Sequence, residues 1–328
     1  MPPMSTDNPD KSSEPKPVAY FVDIEPEQAG QRIDNYLITK LKGVPKSRIY
    51  RILRKGEVRV NKGRIKPEYK LKAGDQVRIP PIRMDEKITT PTPPQAQIER
   101  LEASIVFEDK GLIIFNKPSG LAVHGGSGLS FGLIEVLRAS RPTAPYLELV
   151  HRLDRDTSGL LLIAKKRSYL RNLHEQLRAD KGVRKHYRAL VCGHWDLGKH
   201  HENAPLYKNT MSSGERMVRV DEKGKQAHTL FKPLSLFKAA SYMEVELFTG
   251  RTHQIRVHAA HAGHPVAGDD KYGNQDCNKL LKKYGLKRLF LHAYRLEFTH
   301  PGTEQPMDII APLDNKLTAV LDALEAKK

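Results

Sequence analysis

The chain has 328 residues, of which 39% are hydrophobic and 28% charged, and it carries a formal net charge of +17. This length and composition suggest two domains of an ordinary globular protein, and the absence of any run of about 18 apolar residues excludes a transmembrane helix. The excess of positive charge favours a polyanionic partner.

Polar segments mark the expected domain boundaries. Residues 1–19 are rich in Pro, Ser, Asp and Lys, with almost no apolar content, so we expect a disordered tail without a secretory signal. Residues 85–98 contain the run Thr-Thr-Pro-Thr-Pro-Pro, which opposes both helix and strand and predicts a linker. A small domain is therefore predicted over residues 20–84 and a large domain over residues 99–328.

The small domain holds most of the positive charge, with 15 basic and 4 acidic residues between Gln31 and Ile79. Helical spacing of apolar residues predicts a first helix from Ile33 to Leu41. Pro45 can open a second helix, because the first helical position needs no amide hydrogen, and Gly56 can end it. Small strands are predicted to follow, with a turn at residues 61–63.

One face of the second predicted helix is basic. Arg48, Arg51 and Lys55 follow helical spacing, while Ile49 and Ile52 mark another face. We predict that the three basic side chains bind the RNA backbone, because each neutralised phosphate releases counterions. A merely solvated charged face is the alternative interpretation.

Three short motifs connect this domain to a known RNA-binding module. They are Arg32-Ile33-Asp34, Pro45-Lys46-Ser47 and Gly56-Glu57-Val58-Arg59-Val60-Asn61. This pattern resembles the small RNA-binding domain first described in ribosomal protein S-four. The resemblance implies recognition of RNA by shape and backbone, which agrees with the scarcity of aromatic residues for base stacking. It implies no particular chemistry.

The large domain is rich in short apolar segments with strand patterns. Strands are predicted at residues 112–115, 146–150, 160–164, 185–191, 227–231, 242–248, 288–298 and 307–310, and helical segments at 169–177, 250–258 and 317–324. Many strands with few interleaved helices indicate an α+β fold with a mixed, largely antiparallel sheet.

A polar loop lies between two of these strands, in a place that presents side chains rigidly. Its sequence is His-Arg-Leu-Asp-Arg-Asp-Thr-Ser-Gly, and the Lys185-x-Tyr187 strand, the segment Gly250–Arg256 and the segment Arg288–Ala293 follow it in order. Together these motifs resemble the signature of the RNA pseudouridine synthases of the ribosomal-large-subunit and tRNA dual-specificity superfamily. With the small domain, the resemblance covers nearly the whole chain after the first twenty residues.

The resemblance implies the pseudouridine synthase fold and an isomerase that detaches uracil from ribose, rotates it and rejoins it through carbon 5. Its expected partner is large-subunit (23S) ribosomal RNA or an assembly intermediate of that subunit. Nothing enters or leaves overall, so we expect no cofactor and no metal. A monomer is the family's default. A chain with only Cys192 and Cys277 is no disulfide scaffold and fits a reducing cytosol, so we expect a cytoplasmic protein.

The resemblance also assigns the site residues. Asp154 matches the ionised carboxylate beside sugar and base, and Arg256 matches its ion-pair partner, which would lower the carboxylate pKa. The sequence leaves open whether Asp154 attacks carbon 1, attacks the base or removes the proton on carbon 2. Tyr187 matches the tyrosine that packs on the target base, and its hydroxyl is a candidate to take the proton from carbon 5. Arg152 matches the arginine that in relatives can fill the space left by an everted uridine, and a phosphate contact is the alternative role.

Weaker signals lie elsewhere. Lys117, in an Asn-Lys-Pro turn, is a candidate RNA contact, and His151 is expected to be structural. Asp156 is assigned to hydrogen bonds within its loop, because it need not converge with Asp154. The histidines between His253 and His264 are interpreted as packing or RNA-contacting groups, because no carboxylate or thiolate ligand is adjacent.

Two other functions fit part of the pattern. A non-catalytic RNA-binding ribosome-assembly factor would use the large domain as a scaffold, but the intact Asp154 loop and Tyr187 disfavour it. A nucleoside hydrolase or metal-dependent nuclease would need a second converging carboxylate or a metal cluster, and the sequence indicates neither.

Overall fold

The computed structural model describes residues 18–41, 43–82, 93–125, 131–179, 182–210 and 216–326. These residues belong to two compact units, 1–91 and 92–328. The expected disordered tail, except for its last two residues, and the linker up to residue 92 lie outside the described residues. In the described part of the chain, no helix has the length and apolarity needed to cross a membrane.

The first unit packs two helices on a small sheet. Its helices are α1 (Ile33–Lys40) and α2 (Lys46–Lys55), after a single 3-10 turn at Pro26–Gln28. Its strands are β1 (Tyr20–Asp23), β2 (Arg59–Val60), β3 (Gly63–Arg64) and β4 (Gln76–Ile79), in the order β1-β4-β2-β3. The two predicted helices and the following strands are confirmed, whereas β1 was not predicted.

The turns of this unit follow the predicted signals closely. Gly56 ends α2 in the left-handed conformation, with φ 70°. Asn61 and Lys62 also have positive φ, 48° and 66°, which suits a two-residue hairpin turn between β2 and β3. Pro45 differs slightly from the prediction, because it is the N-cap of α2 with an extended ψ of 140° and not its first helical residue.

The second unit is built on a ten-stranded sheet. The strands of its main path run in the order β10-β13-β14-β9-β15-β8-β6-β5, with β16 beside β15 and β7 beside β8. The sheet comprises β5 (Ile105–Glu108), β6 (Leu112–Lys117), β7 (Glu148–Leu149), β8 (Ser158–Ala164), β9 (Arg184–Cys192), β10 (His200–Glu202), β13 (Thr229–Leu236), β14 (Ala240–Leu247), β15 (Leu291–Thr299) and β16 (Pro306–Ile310). A separate pair is formed by β11 (Leu206–Thr210) and β12 (Arg216–Val220).

Helices cover both faces of this sheet. They are α3 (Gln95–Glu102), α4 (Leu133–Ser140), α5 (Arg167–Arg178), α6 (Gln254–His261), α7 (Gln275–Lys282) and α8 (Asn315–Glu325). Successive strand residues point to opposite faces, so Ile113 of β6 packs in one cluster with α4, while Leu112 packs in another with Leu173 of α5. A third cluster joins Leu281 of α7 to Leu317 of α8.

The predicted linker ends earlier than residue 98. Pro94 caps α3, so residues 95–98 are the first turn of a helix whose Leu101 is buried in the core. The Thr and Pro residues just before this helix led to the prediction of a linker. A proline at a helix N-terminus is nevertheless compatible with helix formation, so the run does not exclude a helix directly after it.

The sheet has two halves that meet at a short parallel pairing, here called the seam. β15 and β8 pair there at two positions, His292 with Ser158 and Ala293 with Gly159. All other described pairings between strands of this sheet are antiparallel, so the predicted mixed, largely antiparallel sheet is confirmed. Gly159 has φ +109°, and a Cβ built on it would clash with the Ala293 carbonyl oxygen. Only glycine permits this close approach.

One disulfide links the sheet to a helix on its surface. It joins Cys192 at the end of β9 to Cys277 of α7, across a sequence separation of 85 residues. A single bond is no disulfide scaffold, as expected. The bond itself differs from the reduced cysteines that a cytosol favours, and two isolated cysteines gave no sign of it.

We expect Gly159→Ala to lower the free energy of unfolding by about 3 kcal/mol or more. The positive φ costs about 1–3 kcal/mol for a residue with a side chain, and the new methyl group must push β8 away from β15 at about 1–3 kcal/mol. Gly285→Ala is the control, because Gly285 has φ +89° and open space around it, so it should lose about 1–2 kcal/mol. Urea unfolding measures both variants, and equal losses would contradict the packing role of the seam.

Candidate active site

A cleft of about 610 Å³ opens in the second unit where three elements meet. The loop between β7 and β8 contributes Asp154, strand β9 contributes Tyr187 and helix α6 contributes Arg256. The structure thus brings together the three residues predicted to be catalytic, although 102 residues separate Asp154 from Arg256.

The Arg256 guanidinium joins two carboxylates. Its Nη1 donates to Oδ2 of Asp154 at 3.2 Å, while Nε and Nη2 donate to Asp269 at 2.7 and 2.8 Å. The fully buried Asp269 carboxylate also accepts the backbone amides of Lys271 and Tyr272. Burial alone would lower the pKa of Arg256, but the hydrogen bonds and charges of the carboxylates raise it above its usual range. The guanidinium is therefore charged and held in one orientation.

The backbone on both sides of Asp154 is anchored. Leu153 is buried in the core, and the Arg155 carbonyl accepts a hydrogen bond from the Gly120 amide at 2.9 Å. The following Thr157 is also buried. The Asp154 side chain nevertheless keeps 26% of its surface exposed, so a rigid loop presents an accessible carboxylate to the cleft.

Lys117 has a different place from the one predicted. It is 0% exposed, and its Nζ donates to the carbonyls of Pro118, Leu121 and Arg155 at 3.0, 2.8 and 3.0 Å. Burial lowers its pKa to about 7, while three carbonyl acceptors match the three N–H donors of the charged form. The expected RNA contact is therefore wrong for this conformation, because the ammonium faces the protein interior. We call this arrangement of Lys117 and its three carbonyls the lysine clamp.

Tyr187 lies on the cleft-facing side of β9 and is 7% exposed. Burial, and then the negative charge of Asp154, raise the pKa of its hydroxyl above the ordinary value for tyrosine. The phenol is therefore protonated at neutral pH. Its ring and the Asp154 carboxylate face the same space, which is the arrangement needed for a base bound between them.

His253 approaches Asp154 from the start of α6. Its backbone is left-handed, with φ 53°, which is uncommon for a residue other than glycine. The imidazole Nδ1 is 2.8 Å from the Tyr272 hydroxyl, and Nε2 is 3.9 Å from Oδ1 of Asp154. Burial lowers the pKa of His253, which favours the neutral ring. The Tyr272 ring also lies 5.1 Å from the Arg256 guanidinium, so both aromatic residues enclose the ion pair.

Asp269 was not predicted from the sequence. The one signal for it was the stretch Gly268-Asp269-Asp270, in which two adjacent acids stand out in a strongly basic chain. No local periodicity links that stretch to Arg256 on the preceding helix. The position of His253 beside Asp154 was likewise invisible, because it depends on an unusual backbone angle.

The remaining predicted residues of the second unit lie at the surface or have a structural role. Arg152 is exposed at the mouth of the cleft and also lines an adjoining groove of about 950 Å³. Asp156 pairs with Arg155 at the surface and so does not converge with Asp154. The Nε2 atom of His151 accepts the Leu162 amide at 3.3 Å, and burial lowers its pKa to about 4, as a structural role requires. Over the described ranges, no group of His, Cys, Asp and Glu could hold a metal ion.

The predicted RNA-binding residues of the first unit lie on α2. Arg51 and Lys55 are exposed and Arg48 is half-buried, while Ile49 and Ile52 are buried against the sheet. The helix is therefore amphipathic in the predicted sense, with its basic side chains directed away from the core.

Comparison with known proteins adds to this geometry. A family model described as RNA pseudouridylate synthase matches residues 111–261, a range that contains Asp154, Tyr187 and Arg256, and an S4 domain model matches residues 31–77. Ribosomal large subunit pseudouridine synthase C of Pasteurella multocida is 58% identical over 306 residues, covering 93% of this chain and 94% of its own. The chain belongs to the RNA pseudouridine synthase family. Members of this family isomerise uridine to pseudouridine, so the chain is an isomerase.

Other members support the same placement. Ribosomal large subunit pseudouridine synthase C of Escherichia coli (strain K12) is 58% identical over 311 residues, covering 94% of this chain and 97% of its own. The solved structure of human RNA pseudouridylate synthase domain containing 4 has a TM-score of 0.58 and 26% identity, covering 70% of this chain and 96% of that one. The pseudouridine synthase fold and the small RNA-binding domain predicted from the sequence are therefore confirmed.

We expect Lys117→Met to lower the free energy of unfolding by about 3 kcal/mol, because each carbonyl left without a donor costs about 1–3 kcal/mol. The affinity of the folded variant for RNA should stay within about twofold of the original, because no phosphate contact is lost. Lys110→Met, at an exposed position, controls for the loss of one positive charge. Urea unfolding and filter binding measure the two effects. Unchanged stability with weakened RNA binding would restore the original prediction.

Proposed function

We propose that this pseudouridine synthase acts on large-subunit (23S) ribosomal RNA, either naked or within an assembling subunit. The observation that carries the proposal is the accessible Asp154 carboxylate, held by Arg256 and facing Tyr187 across one cleft. The choice of RNA rests on the relatives named large subunit synthases, which are 58% identical over nearly the full chain.

The chemistry requires little beyond these side chains. The bond between carbon 1 of ribose and nitrogen 1 of uracil breaks, and a bond between carbon 1 and carbon 5 forms. Carbon 5 loses one proton and nitrogen 1 gains one, so nothing is oxidised or reduced. No cofactor or metal is needed for this balance, and we expect none.

Asp154 supplies the negative charge at the reacting sugar. Whether its carboxylate attacks carbon 1, attacks the base or removes the proton from carbon 2, it has to be unprotonated and positioned in advance. Arg256 serves this need because Asp269 takes two of its donors and leaves Nη1 directed at Asp154. Asp269 thus acts through Arg256 as a positioning residue.

Tyr187 is assigned to packing on the target base. Its second candidate role, taking the proton from carbon 5, is disfavoured because burial and the charge of Asp154 raise the pKa of its hydroxyl. A protonated phenol cannot accept that proton without first losing its own. The ring itself needs no change of charge to stack against uracil.

The target uridine has to leave its stack before it reaches the cleft, which costs a few kcal/mol. Arg152 is exposed where the cleft meets the adjoining groove. From there its long side chain can occupy the space vacated by the base or bind a phosphate.

The first unit is proposed to anchor the RNA through α2. Arg48, Arg51 and Lys55 provide three cations on one helix face, and phosphate contacts of this kind add affinity without sequence specificity. We also infer a monomer, since one chain supplies Asp154 and Arg256. We infer a cytoplasmic location because the relatives that are 58% identical are bacterial, and bacteria make ribosomal RNA in the cytoplasm.

We expect Asp154→Asn to abolish tritium release from ribosomal RNA labelled at carbon 5 of uridine, because the amide cannot supply the negative charge. Affinity for the RNA should stay within a few-fold, since the basic surfaces are intact. Asp156→Asn is the matched control in the same loop, and it should retain activity. Substantial release by Asp154→Asn would refute the catalytic assignment, and a wild-type protein that binds rRNA but releases no tritium would favour a non-catalytic assembly factor.

We expect the double variant Arg51→Gln/Lys55→Gln to bind ribosomal RNA with a weaker salt dependence. Each lost phosphate contact should reduce the slope of log affinity against log salt concentration by about one unit. Lys110→Gln/Lys316→Gln, at two exposed positions of the second unit, controls for the loss of two positive charges. Filter binding at several salt concentrations measures the slopes, and an unchanged slope in the double variant would contradict the role of α2.

A further inference from the structure

Lys185 is a buried cation in the cleft that the mechanism above does not use. It precedes Tyr187 by two residues on β9, so the two side chains leave the same face of the sheet about 7 Å apart. Lys185 is only 9% exposed, and it lines the same cleft as Asp154. The central strand of the sheet therefore carries an ammonium group beside the tyrosine that we assign to the base.

The part of the chain that the structure describes provides no ionic or hydrogen-bonding partner for this ammonium group. No carboxylate or carbonyl of the described residues forms a hydrogen bond or ion pair with it, and its pKa is lowered by burial alone. Gly250 adjoins this ammonium group, since a Cβ built there would lie 3.7 Å from the Lys185 Nζ. The lysine clamp shows the contrast, since Lys117 has three carbonyl acceptors for one ammonium.

The cleft thus has two poles of opposite charge. The Lys185 ammonium lies beside Gly250, and its charge helps to lower the pKa of the His151 imidazole. Lys185 is mostly buried, and the attraction between a cation and an incoming anion is stronger in such surroundings than in bulk water.

We propose that Lys185 binds an RNA phosphate next to the everted uridine, so that the cleft holds the uracil and ribose at Asp154 and the adjoining phosphate at Lys185. Phosphate is the anionic group that RNA supplies, and lysine binds it as a point charge. An unpaired buried cation destabilises the free protein. A substrate phosphate that forms an ion pair with the Lys185 ammonium would explain why this cation is present in the cleft. This inference rests on the proposed function.

The test uses the full-length protein with Lys185→Met, which keeps the length of the side chain and removes its charge. The substrate is an rRNA fragment in which the wild-type protein releases tritium from one labelled uridine. In two further fragments, a single methylphosphonate linkage removes the charge of the phosphate on the 5′ or the 3′ side of that uridine. The nucleotide that carries the methylphosphonate has a 2′-deoxy sugar. Fragments with that 2′-deoxy substitution and an ordinary phosphate are therefore the RNA controls, and Lys316→Met is the protein control.

We expect Lys185→Met to slow single-turnover tritium release from the unmodified fragment at least tenfold, a loss of about 1.4 kcal/mol. One methylphosphonate linkage should slow the wild-type protein by a similar factor and should not slow Lys185→Met further. The midpoint of thermal unfolding should be unchanged or higher in Lys185→Met, because a buried charge without a partner has been removed.

Three results would overturn the proposal: unaltered tritium release by Lys185→Met, additive slowing at both linkages, or a lower unfolding midpoint that accounts for the lost activity. Additive slowing would mean that Lys185 contacts the base or the ribose and not a phosphate. If the wild-type protein released no tritium from any rRNA fragment, the proposed function would fail before this inference was reached.

Discussion

The arrangement of the second unit depends on one guanidinium group that serves two carboxylates. Arg256 and Asp269 are almost fully buried, and buried charges are tolerated only when they are paired and hydrogen-bonded. Asp269 receives two donors from Arg256 and two backbone amides, which fixes α6 against the segment that follows it. The third interaction of the guanidinium reaches Asp154, so the chemistry uses a cation whose position is already determined by the fold.

The seam decides whether that third interaction can form. Asp154 precedes β8 on one half of the sheet, while Tyr187 and Arg256 belong to the other half. The two halves meet where Gly159 lies against Ala293. The backbones of β8 and β15 are so close there that a residue with a Cβ at position 159 would clash. A site assembled across two half-sheets in this way needs a close and rigid junction, because a shift of about 1 Å changes reactivity strongly.

Sequence patterns predicted the helices and strands whose buried residues recur at regular spacing along the chain. The helices of the first unit and strands such as β6, β8 and β9 have apolar periodicities that reflect their packing, so their existence was predictable. Helix α3 was not, because its cap lies in a Pro-rich run that also suits a linker. The family motif placed Asp154 beside Arg256 across 102 residues, which no periodicity could do. Tertiary contacts determine the role of Asp269, the burial of Lys117 and the backbone conformation of His253. The periodicity of the sequence near these residues does not indicate such contacts.

The lysine clamp has a consequence for the motions of the catalytic loop. Lys117 ends β6, an inner strand of the sheet, and its ammonium holds the carbonyl of Arg155 directly after the catalytic aspartate. Opening of this loop therefore breaks contacts made by the end of a core strand, so the loop belongs to the same cooperative unit as the sheet. Loops at active sites commonly fray at low free energy, but this one resists local unfolding as long as β6 stays in place, and flexibility for admitting RNA has to come from segments outside it.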